Sequence, residues 1–106
     1  MIEITDKNAL AINAAEKVLL AFGLPDPGRW LRHIDPLGED RHEVRIEVLF
    51  WMNKDPKKPM TVVVNIGHTE DGWLPMFAAL RIPVPHERET LILWDFDEQG
   101  NNPRKR

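Results

Sequence analysis

Residues 42–52 read HEVRIEVLFWM and residues 60–68 read MTVVVNIGH. In the first stretch His42, Val44, Ile46, Val48, Phe50 and Met52 share one parity, and Glu43, Arg45, Glu47, Leu49 and Trp51 share the other. Successive side chains of a strand point to opposite faces, so this spelling predicts a half-buried strand that becomes apolar on both faces at Leu49 and Trp51. The second stretch resumes the alternation, with Met60, Val62, Val64 and Ile66 inward and Thr61, Val63 and Asn65 outward. A polar, Pro-containing connection at 53–59 joins them, which makes the pair an antiparallel hairpin.

On the N-terminal side, Asp6 is a good helix N-cap, and Ala11, Ala14, Ala15, Val18, Leu19 and Phe22 recur at helical spacing. Gly23 supplies the residue that closes the helix and Pro25 forbids its continuation, so a helix over 7–22 is expected. Residues 24–40 hold Pro25, Pro27, Gly28, Pro36 and Gly38 and read as a long loop, with a short turn or strand at 29–34. On the C-terminal side, 69–72 is a turn. Residues 73–80 are apolar without alternation and lie just before Pro83 and Pro85, which reads as a short helix. Residues 89–96 contain the unbroken run Leu91-Ile92-Leu93-Trp94 and read as a strand buried on both faces.

The expected fold is therefore α+β: an antiparallel sheet of three to four strands packed by one N-terminal helix. If residues 2–5 open the chain as a strand, the order becomes the ferredoxin-like βαββαβ. A length of 106 residues fits one core, placed here at 1–97, with 98–106 as a frayed polar and basic tail.

Composition narrows the function classes. The chain has no Cys, no Tyr and no Ser, which removes the nucleophiles, thiolate metal sites and disulfides that those residues supply. A net charge of -3 disfavours a dedicated nucleic-acid binder, whose affinity rests on cations against phosphate. The longest stretch free of charged side chains, 59–69, is far short of the roughly 20 apolar residues that span a bilayer. No export signal opens the chain. With zero cysteine, a cytoplasmic location and no membrane partner are expected.

The four histidines each have a carboxylate one or two residues on, but their spacing forces no convergence on one ion. The best metal nucleus would be His68, Glu70 and Asp71, on a loop able to bend them inward, with the Asp95 and Asp97 pair as a second. A P-D…D-x-K nuclease pattern at Asp26, Asp55 and Lys57 is defeated by Pro56, which puts its second half in a mobile connection. No phosphate-binding glycine loop is present, so no cofactor is expected.

The positive feature is four tryptophans, Trp30, Trp51, Trp73 and Trp94. Trp94 belongs to the most apolar strand and is assigned to the core. Trp51, Leu49, Trp73 and Trp30 are the candidate apolar anchors of a contact surface, with Arg45, Glu47, Glu70 and Asp71 as its charged rim. The expectation is a non-enzymatic protein-binding module of the inhibitor, immunity or antitoxin type, or an assembly adaptor. Self-association through a sheet edge is a further expectation. The rival readings are a small metal-dependent hydrolase built on His and carboxylates, and an RNA-binding ferredoxin-like domain using Trp51 with the basic loop 54–58.

Overall fold

The computed structural model describes residues 6–52, 59–83 and 88–106. Helix α1 runs Lys7–Phe22. Its start is fixed by Asp6, whose carboxylate accepts from the Ala9 N–H at 3.1 Å. Its end is fixed by Gly23, which adopts a left-handed φ of 105° and turns its N–H back onto the last carbonyls. A turn of 3-10 helix at Pro27–Arg29 then leads into six strands: β1 Leu31–Glu39, β2 Glu43–Trp51, β3 Met60–Thr69, β4 Gly72–Ile82, β5 Thr90–Asp95 and β6 Arg104–Lys105. They form one sheet in the order of the chain, and every neighbour is antiparallel.

This corrects the expected architecture. The sheet has six strands rather than three or four, and among the described residues α1 is the only α-helix, so the arrangement is a meander and not the ferredoxin-like βαββαβ. The expected opening strand at 2–5 lies outside the described residues.

Residues 73–80, read as a short helix, belong to β4. There Asn65 pairs with Phe77 but Ile66 pairs with Pro75, so Met76 is an extra residue in β4 and the apolar positions change parity midway. That bulge erases the alternation by which a strand is recognised. Residues 31–39, read as loop apart from a short turn or strand at 29–34, are throughout an edge strand, where a proline without an N–H and a register slip between Pro36 and Gly38 are tolerated.

The segment expected to fray carries β6, with Lys105 opposite Trp94 and Arg104 opposite Asp95. Asp97 organises the return. Its carboxylate accepts from the N–H groups of Gln99 and Asn101 and from the Asn102 side chain, at 2.7 to 3.0 Å. Lys17 of α1 ties the same turn down through Asn101 Oδ1. Gly100 sits at its tip with φ 75°, where an added Cβ would lie 2.8 Å from Pro75 Cδ.

The core lies between α1 and one face of the sheet. Ala11, Ala14, Ala15, Val18 and Leu19 of the helix close onto Val44, Ile46, Val48 and Phe50 of β2, Val62, Val64 and Ile66 of β3, Ala78 and Leu80 of β4, and Trp94 of β5. The three alanines let the helix axis approach the β-branched surface closely, so a short amphipathic helix suffices to cover it. Nothing among the described residues covers the opposite face. No helix among the described residues is long and apolar enough to cross a membrane.

Candidate functional site

The uncovered face is built by the alternate residues of each strand, and the strand register places them in rows. Arg45, Asn65, Phe77, Asp95 and Arg104 form one row, and Asp35, Glu47, Val63, Ala79 and Leu93 the next. His33, Leu49, Thr61, Arg81 and Leu91 follow, and Leu31 stands opposite Trp51 at the far corner. Parity dictates this composition. Along β2 to β5 each of these residues neighbours one that packs on the core side and points the other way.

Large apolar side chains remain in water on this face. Leu91 is 57% exposed and Leu31 55%, while Phe77 and Leu93 are close to 40%. Leu49, Trp51, Val63 and Ala79 are half-buried. They fall into two groups, Leu31, Leu49 and Trp51 toward β1, and Phe77, Ala79, Leu91 and Leu93 toward β5.

Between the groups lies Arg81. Its Nη1 reaches across β3 to Glu47 Oε2 at 3.6 Å, and its Nη2 donates to Glu89 Oε1 at 2.8 Å. The hydrogen bonds it donates to Glu89 hold the Arg81 guanidinium above its ordinary pKa. At the β6 end, Arg106 grips both oxygens of Asp95 at 2.8 to 3.1 Å, and its guanidinium carbon stands 5.8 Å from the Phe77 ring centre. That hydrogen bonding holds the Asp95 carboxyl below the ordinary carboxylate range and the Arg106 guanidinium above its own. Glu47, Arg81 and Asp95 are thus paired within the chain, whereas Asp35, Arg45 and Arg104 of the same face have no ion-pair partner among the described residues.

Of the residues singled out from the sequence, Arg45, Glu47, Leu49 and Trp51 come together on this face. The others lie elsewhere. Trp30 packs against the core, edge-on to Phe50 with ring centres 6.3 Å apart. Trp73 lies against the core near the start of α1, with Lys7 Nζ 4.4 Å from its ring centre and His68 edge-on at 5.0 Å. Glu70 and Asp71 are exposed in the β3–β4 turn. Leu31, Phe77, Leu91 and Leu93, which complete the face, were not singled out from the sequence.

The metal readings find no geometry. No group of three or more His, Asp or Glu able to hold an ion occurs among the described residues. His68 packs edge-on against Trp73, and Glu70 and Asp71 are exposed in the turn. Asp95 is bound by Arg106, and Asp97 by the backbone and Asn102 of its own turn. Asp55, Lys57 and the basic loop 54–58, on which the nuclease and RNA readings depend, lie outside the described residues. No known protein family, curated protein or solved structure matches this chain.

Proposed function

We propose that this protein is a non-enzymatic binding module whose recognition surface is the sheet face opposite α1, and that its partner is a second protein offering an apolar, uncharged patch. The observation that carries the reading is the set of large apolar side chains, Leu31, Phe77, Leu91 and Leu93, exposed on one face while α1 covers the other. An apolar centre with charges at its margins is the usual anatomy of a protein interface. The choice of an uncharged partner follows from the charges. Glu47, Arg81 and Glu89 satisfy one another, as do Asp95 and Arg106, so the charges beside the apolar groups Phe77, Ala79, Leu91 and Leu93 leave a charged partner little to pair with there. The absence of cysteine supports a place in the reducing cytoplasm.

The test is affinity capture from the host lysate with three variants compared against the parent, each checked for fold by circular dichroism. Trp51→Ala and Leu91→Glu alter the open face, and Asn13→Asp alters the exposed side of α1. One protein captured at near-unit stoichiometry, lost with both face variants and kept with the helix variant, is the expected result. Capture unaffected by Trp51→Ala and Leu91→Glu, or abolished by Asn13→Asp, would overturn the assignment of the face.

A further inference from the structure

At one end of the open face, beyond the apolar groups, the β1–β2 turn and the first row of the sheet enclose a concavity of about 490 Å³. Gly38, Glu39, Asp40, Glu43, Arg45, Asn65 and Phe77 line it. Its volume lies in the range of sites that take small molecules.

Asn65 is the unusual member. It interrupts the run Val62-Val63-Val64-Asn65-Ile66 in β3, and it is the only polar side chain buried among the described residues, with 4% of its surface exposed. Its amide makes no hydrogen bond to another described residue. The buried side-chain polar atom left without a partner among the described residues is Trp94 Nε1 and not an atom of Asn65, so the Asn65 amide is not sealed off unsatisfied. The amide lines the concavity, and that is where a partner can reach it.

The charges around it sort into engaged and free. Glu39 is bound by Lys7 at 2.7 Å. Asp40 accepts from the N–H groups of His42 and Glu43 at 2.7 and 2.8 Å, which hold its carboxyl below the ordinary range. Neither Glu43 nor Arg45 has an ion-pair partner among the described residues. These two stand two residues apart on one face of β2, and the charge of Arg45 also helps hold the neighbouring Asp40 carboxyl low. Arg45 lies opposite Asn65, and Asn65 opposite Phe77. The complement of a carboxylate and a guanidinium without ion-pair partners among the described residues, an amide between strands and a half-open aromatic ring is a small zwitterion with an apolar arm.

We propose that this concavity binds a free α-amino acid with an apolar or aromatic side chain: Arg45 takes the carboxylate, Glu43 the ammonium, the Asn65 amide bonds the polar centre, and Phe77 supports the side chain. The site stands on its own observations and does not depend on the protein-binding reading. Titration of the isotopically labelled full chain with L-phenylalanine, followed by NMR, tests it. Saturable shifts of the Asn65 side-chain amide and of the Phe77 and Arg45 backbone signals are expected. L-phenylalaninamide and N-acetyl-L-phenylalanine should each bind about tenfold or more weakly, since each removes one charge-assisted contact. Both charged residues are exposed, so their variants keep the fold. Arg45→Gln should abolish discrimination against the carboxamide, and Glu43→Gln discrimination against the N-acetyl compound. No response of Asn65 to L-phenylalanine would overturn the proposal, as would blocked compounds that bind as well as the free amino acid.

Discussion

Replacing Gly100 with alanine tests the part of the fold that composition hides most completely. Gly23, Gly72 and Gly100 all have positive φ, at 105°, 99° and 75°. An L-residue held there costs about 1–2 kcal/mol. At Gly23 and Gly72 an added Cβ meets nothing within 4 Å, so the backbone term stands alone. At Gly100 the same atom would lie 2.8 Å from Pro75 Cδ and 3.4 Å from Leu74 Cβ. Pro75 is buried and belongs to β4, so it has little room to yield. Forcing a methyl into a packed site adds about 1–3 kcal/mol. Gly100→Ala should therefore lower the unfolding free energy by about 2–5 kcal/mol, and Gly23→Ala and Gly72→Ala by about 1–2 kcal/mol each. Urea denaturation of the three variants, read at the midpoint with a shared m-value, measures the difference. A Gly100→Ala loss no larger than that of Gly72→Ala would refute the packing of the Asp97 turn on β4.

The two faces of the sheet should answer mutation differently. Leu80→Ala, at a fully buried position of β4, should cost about 2–5 kcal/mol, and Leu91→Ala, 57% exposed on β5, should stay within about 0.5 kcal/mol by the same denaturation assay. Asp40, Asp95 and Asp97 are each held below the ordinary carboxylate range, through backbone N–H groups, Arg106 and the Asp97 turn respectively. A carboxyl that binds its proton less readily when folded contributes stability above its unfolded pKa and loses it as pH falls through the folded one. Thermal melts across that acid range should show falling stability, and Asp97→Asn should shallow the decline; an unchanged slope would remove Asp97 from the account.

What the sequence makes legible depends on how local the cause is. The limits of α1 were readable because Asp6 and Gly23 act within one turn of themselves. The hairpin of β2 and β3 was readable because their pairing runs without a register shift from Glu43 to Phe50, leaving the period of two intact. β4 was missed because Met76 is inserted opposite a point on another strand, and nothing within 73–80 records that. β1 was legible only as a short turn or strand at 29–34, because the Pro and Gly that mark a loop over the rest are also what an edge strand bears without penalty. β6 is two residues long and is held by the side chain of Asp97 rather than by any pattern of its own.

The open face was legible in the same partial way. Parity within β2 alone put Arg45, Glu47, Leu49 and Trp51 on one side, whereas Leu31, Phe77, Leu91 and Leu93 join them only through the register of four hairpins. The tryptophans divide by the same rule. Trp51 follows the parity of its strand onto the face, but Trp30 and Trp73 lie outside the alternating runs, and their letters did not show that they fold onto the core side.

The ion pairs of the face bear on its purpose. Exposed pairs such as Arg81 with Glu89 add little to folding, because water already solvates both groups well. Stability therefore does not explain an arginine laid across the middle of a sheet between two apolar groups. Burial against a partner is another matter: an isolated charge in that position would lose its hydration without compensation, while one already hydrogen-bonded to carboxylates on the same face retains its partner when water leaves. Arg81 and Arg106 both meet that condition, and the apolar side chains lie beside them. The part of the face around Arg81 and Arg106, neutralised in place, can be covered by an uncharged surface at smaller cost than one whose charges stand free, which is why the proposed partner presents an apolar patch rather than a charged one.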